Sequence, residues 1–167
     1  MDTISVEQII KVKQPGIAVF YKIGLAVLTL VSVVLMRYVL FGFGVILVAC
    51  FGFFLVLLWR YYDAEFEYEL VENELSVDRI MSKSSRKHCG TYDVAKMEVM
   101  APSGSDKIAY KEHQKLKTFD YSSNTDKSST FVMYLPSNNE MVRVILEPDE
   151  KMLKAIKAVA VGKVYDK

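Results

Sequence analysis

The sequence predicts an α+β membrane protein: a two-helix transmembrane hairpin, then a strongly bent antiparallel β-sheet of about seven strands with a C-terminal helix. Three observations predict it. Of 21 basic and 20 acidic residues, only Lys22 and Arg37 lie between Ile17 and Trp59, a stretch no water-soluble fold would leave so bare. Beyond it, apolar and acidic residues alternate, as in Phe66, Tyr68 and Leu70 against Glu65, Glu67 and Glu69. Near the end, Met152, Leu153, Ile156, Val159 and Ala160 recur at threes and fours. The near balance of charge argues against a nucleic-acid partner, which needs a positive face to displace counterions from phosphates. Two cysteines cannot build a disulfide framework.

The chain divides into residues 1–16, 17–60 and 61–167. In the first, Ile4, Ile9, Ile10 and Val12 fit loosely on one side of a short interfacial helix capped by Asp2 or Thr3 and broken by Pro15 and Gly16, a frayed terminus being the alternative. The 20 residues from Ile17 to Met36 and the 22 from Tyr38 to Trp59 each suffice, as helix, to cross a hydrocarbon layer roughly 30 Å thick. One continuous helix over both would be about 65 Å long, so the chain must fold back. Arg37 marks the turn, since a guanidinium at mid-bilayer costs roughly 3 kcal/mol and little in the headgroup layer; Gly42 and Gly44 would place the turn slightly later. Lys22 lies little more than one turn inside the first span, where its stem carries the ammonium back to the interface. Tyr21, Trp59, Tyr61 and Tyr62 mark one membrane face and Tyr38 the other. The first run is too long for a cleaved signal and is followed at once by a second span, so it reads as a retained anchor. Lys11, Lys13 and Arg60 flank the open ends while the turn carries Arg37 alone, which puts both termini in the cytoplasm and the protein in the cell membrane as a two-pass chain.

From Tyr61 onward the composition is that of an ordinary soluble domain. Strands are expected at Glu65–Leu70 and Glu74–Met81 around a turn at Glu72 and Asn73, where asparagine accepts a positive φ. A third follows the polar turn Ser82–Arg86, over Lys87–Asp93. A fourth is expected over Val94–Ala101, where Met97, Val99 and Ala101 alternate, and Pro102–Asp106 is a loop. Lys107–Lys117 suits a short helix or an excursion. Strands at Lys117–Tyr121, Thr130–Leu135 and Met141–Glu147 complete the set, the last two joined by the turn Pro136–Asn139. Pro148, Asp149 and Glu150 open the final helix, and Gly162 ends it.

Seven strands and one helix behind a two-span hairpin resemble the bacterial pleckstrin-homology-like membrane proteins, and YELVENELSVDRI (Tyr68–Ile80) resembles their first hairpin. The whole chain resembles a bacterial family of short two-span proteins, in its opening MDTISVEQIIKVK and its closing VILEPDEKMLKAI. The resemblance implies a pleckstrin-homology-like C-terminal domain and a topology. It brings no catalytic motif and assigns no functional residue.

Arg79, Lys83, Arg86 and Lys87, with His88, form the basic cluster, the candidate contact for a lipid headgroup or a partner protein. Phosphoinositide-binding pleckstrin-homology domains carry their basic residues around the loop between the first two strands, which here is the acidic Glu72 and Asn73. A solvated turn is the plainer reading, and Asp63, Glu65, Glu67 and Glu69 oppose attraction to an anionic surface. Cys89 beside His88 suggests zinc only in isolation, because His113 stands apart and Cys50 lies in the bilayer. Cys50 is too deep for lipidation. Ser84 and Lys87 match the S-x-x-K spacing without its partner motifs. No enzyme, cofactor or metal site is expected. Three roles follow: a membrane-anchored interaction module with the lipid bilayer and a protein as partners, an accessory or assembly subunit of a larger membrane complex, and a lipid-headgroup sensor.

Overall fold

The computed structural model of the chain describes residues 5–14, 16–36, 41–123 and 129–166. They form two compact units: residues 14–64 with 81–85, and residues 1–13, 65–80 and 86–167. The expected turn residue Arg37, the interface residue Tyr38, the caps Asp2 and Thr3, Pro15 and residues 124–128 lie outside the described residues.

The first unit is a helical hairpin. Helix α1 spans Gly16–Leu35 and α2 spans Phe41–Tyr62, three residues beyond the expected end at Trp59. Both are long and apolar enough to cross a membrane. Most of their large side chains face outward. The sheltered positions on α1 are Ala18, Lys22, Leu25, Ala26, Thr29 and Ser32, with Met36 just beyond its end; on α2 they include Gly44, Val48, Leu55 and Tyr62. Their spacing of three to four residues draws one seam along each helix. Small residues bring the backbones close there. A Cβ on Gly44 would meet the Met36 Cα at 2.7 Å, so the helices touch at that point only because glycine has none. Thr29 and Ser32 donate to the carbonyls of Leu25 and Leu28, each at 2.8 Å, which satisfies their hydroxyls without water.

The second unit is built of two four-stranded sheets, with eight strands among the described residues. The first sheet has the order β1-β2-β3-β4, from β1 (Ser5–Lys11), β2 (Ala64–Val71), β3 (Glu74–Met81) and β4 (Ser85–Asp93). The interfacial helix expected at the N-terminus is therefore replaced by a strand, antiparallel to β2 in the register Ser5↔Val71 to Lys11↔Glu65. Its two-residue period is carried by Val6, Gln8 and Ile10, which face Leu70, Tyr68 and Phe66, while Ile9 points to the other face. Pairing with a strand beyond the hairpin outweighed the weak helical spacing. Gln8 suits its inward place because both ends of its amide are used: Nε2 donates to the Glu147 carbonyl and Oε1 accepts from the Asp149 N–H, each at 2.9 Å.

The turn after β2 takes its positive φ at Glu72 (55°), not at the expected Asn73. Val94 to Lys96 is a 3-10 turn rather than the start of a strand. Asp93 caps it by accepting from the Ala95 N–H at 3.1 Å, and Val94 and Met97 are buried at a spacing of three, which the alternating pattern concealed.

The second sheet has the order β5-β7-β8-β6, from β5 (Val99–Pro102), β6 (Lys117–Asp120), β7 (Phe131–Ser137) and β8 (Glu140–Leu146). Its β6 runs parallel to β8, so the sheet is mixed where only antiparallel pairs were expected. The turn between β7 and β8 places Asn138 (φ 50°) and Asn139 (φ 65°) in the left-handed region that asparagine tolerates. The residues expected as helix or excursion hold α3 (Asp106–Glu112), whose Ile108 packs with Val99, Ala101, Val132 and Tyr134 on one face of this sheet.

The main core lies between the sheets and under α4 (Glu150–Val159): Tyr68, Leu70 and Leu75 from the first sheet, Met133, Leu135 and Leu146 from the second, Met152 and Ile156 from the helix. Asp149, not Pro148, begins α4, its Oδ1 accepting from the Met152 N–H at 2.7 Å. Three tyrosines tie this core. Tyr68 donates to the Tyr121 carbonyl at 2.5 Å, and the Tyr92 and Tyr121 hydroxyls are 2.7 Å apart. Burial pushes all three phenols above their ordinary pKa.

Candidate functional site

The basic cluster is divided between the two units. Lys83 belongs to the helical unit, at the exposed turn between β3 and β4, while Arg79, Arg86 and Lys87 belong to the β unit. Arg79 is half-buried on β3, and Lys87 is exposed on β4. Arg86 is committed to internal partners: its guanidinium lies 2.9 Å from Glu67 and 3.8 Å from Asp78. Asp78 also meets the His88 Nδ1 at 2.7 Å, and the His88 Nε2 stands 3.2 Å from the Thr91 hydroxyl.

Glu67 differs from what the strand pattern suggests. It has the register of the wet face, yet it is only 6% exposed. Burial and the neighbouring Glu7 carboxyl raise its pKa above the usual carboxylate range, although Arg86 pulls the other way. The acids that were expected to repel an anionic surface thus serve in part to hold the cluster's own cations. Cys89 is half-buried, with its thiol pushed up by burial, which makes it a poor nucleophile. Among the described residues no group of three or more His, Cys, Asp and Glu could hold a metal ion.

Within the helical unit, the end of α2 carries a second arrangement that the sequence did not single out. An open groove of about 450 Å³ is lined by Leu55, Val56, Trp59, Arg60, Asp63 and Ser82. The β3–β4 turn docks there by hydrogen bonds: the Ser82 N–H donates to the Asp63 carbonyl at 2.8 Å, and the Ser82 hydroxyl to the Arg60 carbonyl at 3.3 Å. These bonds satisfy carbonyls that the helix end leaves over. The turn holds Ser82 and Lys83 at φ 48° and 55°, a conformation unfavourable for residues other than glycine and asparagine. Arg60 reaches the Ser84 hydroxyl at 3.5 Å. Lys22 bends back to the same end, donating to the Gln14 Oε1 at 2.7 Å and standing 5.1 Å from the Trp59 ring and 5.7 Å from that of Tyr62. The aromatic spacing in the sequence marked this end of the hairpin; the groove itself needs residues more than twenty positions apart.

Two long apolar helices with a β unit of two sheets and a C-terminal helix define a small PH-like fold that carries a helical hairpin. The chain belongs to the bacterial PH-like domain family, whose sequence model matches residues 2–166. No curated protein and no solved structure matches it.

Proposed function

We propose that the chain is a non-enzymatic, membrane-anchored interaction module, in which the helical hairpin crosses the cell membrane twice and the PH-like domain is presented at the cytoplasmic face. Its partners are the lipid bilayer and a protein. The pairing of β1 with β2 carries this reading. These strands flank the hairpin in sequence and lie side by side in one ladder, with Lys11 opposite Glu65. An apolar hairpin whose entrance and exit are tied in this way enters and leaves a bilayer on one side. Lys11, Lys13 and Arg60 at that side, against Arg37 alone at the turn, favour the cytoplasm. The binding role falls to the β unit, whose outer surface carries Lys87 and Tyr110 in exposed positions.

Topology is tested with Lys154→Cys on the exposed face of α4, a better reporter than half-buried Cys89. A membrane-impermeant maleimide should label the variant only after cell lysis. Labelling in intact cells, or extraction of the protein by alkaline carbonate without detergent, overturns the reading. Crosslinking in native membranes should return a protein partner that is lost when the β unit is unfolded by core substitution.

A further inference from the structure

Side chains from all four strands of the first sheet form one chain of contacts across its outer face, within the β unit. Glu7 on β1 hydrogen-bonds to Glu67 on β2. Glu67 holds the Arg86 guanidinium of β4 at 2.9 Å, and the same guanidinium lies 3.8 Å from one Asp78 oxygen on β3. The other Asp78 oxygen meets the His88 Nδ1 at 2.7 Å. The His88 Nε2 stands 3.2 Å from the Thr91 hydroxyl, which is 3.3 Å from that of Ser76. Arg86 and His88 are exposed, so water and protons reach them. Chemistry dictates the donors along this chain. A carboxylate only accepts, so neutral His88 carries its proton on Nδ1 and donates to Asp78. Nε2 is then an acceptor: Thr91 donates to it, and Ser76 donates to Thr91. A second proton on the ring makes Nε2 a donor, and both hydroxyls must turn about, so that His88 donates to Thr91 and Thr91 to Ser76. The ring itself stays where it is, since both of its nitrogens already have partners that suit the charged form.

We infer that Arg86 is a proton-gated cation: Glu67 and Asp78 hold it against the sheet at neutral pH, and protonation of His88 and Glu67 releases it to solvent. The charged imidazole competes for Asp78. Its ion pair at 2.7 Å neutralises a carboxylate that Arg86 meets only at 3.8 Å. Acid acts on the second partner in the same sense, because burial and the Glu7 carboxyl make Glu67 take up its proton early as the pH falls. The remaining neighbours offer no replacement. Lys87 and Cys89 flank His88 on β4 and Arg79 follows Asp78 on β3; two of these are cations, and the thiol is held neutral by burial. The basic cluster read from the sequence thus has one member that is offered only in weak acid. The device is confined to the β unit and is independent of the membrane reading.

The chain has two histidines and five arginines, few enough for nuclear magnetic resonance to follow each side chain once their nitrogens are isotopically labelled. The full-length protein is used in detergent micelles, with His113→Gln and Arg86→Lys serving only to assign the His88 and Arg86 signals. Neutral His88 should be in the Nδ1–H form. On titration from about pH 8 to about pH 5, the Arg86 Nε–H signal should shift with the midpoint of the His88 ring. Its exchange with water should quicken roughly two- to fivefold, the scale of ion pairs with an exposed partner. The Arg143 signal, from the second sheet, should stay in place. His88→Gln, which keeps a donor for Asp78, should remove the part of the Arg86 shift that shares the His88 midpoint, and the double variant with Glu67→Gln should remove all of it. A neutral ring protonated on Nε2, an Arg86 signal that stays fixed while His88 titrates, or a shift that survives in the double variant overturns the inference. The first two outcomes are read from the natural sequence and so do not depend on a variant that folds.

Discussion

Two tyrosines in the β unit show how differently a buried hydroxyl can be placed. Tyr68 donates to the Tyr121 carbonyl and accepts from the Glu147 N–H at 3.4 Å, whereas the Tyr134 hydroxyl is buried with no hydrogen-bond partner among the described residues. Tyr68→Phe should cost about 1–2 kcal/mol, and Tyr134→Phe should be neutral or stabilising by up to about 1 kcal/mol, because only the first leaves groups unsatisfied. Thermal melts followed by circular dichroism distinguish the two. Glu67 gives a second prediction. Its folded-state pKa is raised, so the native state holds that proton more tightly than the unfolded chain does. The associated stability is present at acid pH below the ordinary carboxyl value and is lost as pH rises through the folded pKa. Glu67→Gln should flatten that decline, as measured by denaturant midpoints across the weakly acidic range. The sequence put Glu67 on the first strand of the domain and Arg86 at the polar turn before the third, with nothing to pair them. That Glu67 would be buried against both Glu7 and Arg86 depended on three strands meeting, two of them on opposite sides of the hairpin.

At the scale of elements, most strands were legible because their apolar residues alternate: Phe66, Tyr68 and Leu70 point into the core as expected, as do Leu75 and Val77. The C-terminal helix was legible for the same reason, at its own period. Strand β1 was not. A glutamine stands at one of its inward positions and Ile9 at an outward one, so the local pattern resembled a ragged helix. Its partner strand begins more than fifty residues later, beyond the reach of any local signal. The 3-10 turn at Val94–Lys96 was hidden differently, since Val99 and Ala101 continue an alternation that the preceding residues do not share. Gln8 now becomes the informative residue of β1. Gln8→Ala should cost about 1–3 kcal/mol, because it leaves the Glu147 carbonyl and the Asp149 N–H unsatisfied at the entry to α4. A chemical denaturation curve of the β unit checks this, with Gln8→Glu as a variant that keeps one acceptor.

For the molecule as a whole, the charge desert between Ile17 and Trp59 made legible the division into an apolar hairpin and a β domain. It could not show that residues 1–13 join the domain and residues 81–85 join the hairpin. Those exchanges depend on contacts between distant segments. Two compact units with separate cores should not share one transition. In detergent, urea should abolish the near-ultraviolet signal of the β-unit tyrosines while much of the helical signal at 222 nm remains; a single coincident transition would show that the units unfold together. The placement of β1 ahead of both apolar helices also sets an order of events during synthesis. Strand β1 leaves the ribosome before its partner and must wait, unzipped, until both apolar helices have been translated and β2 emerges behind them. Closure of the first sheet is therefore a late act, and nascent β1 is the stretch a chaperone would have to shield in the interval.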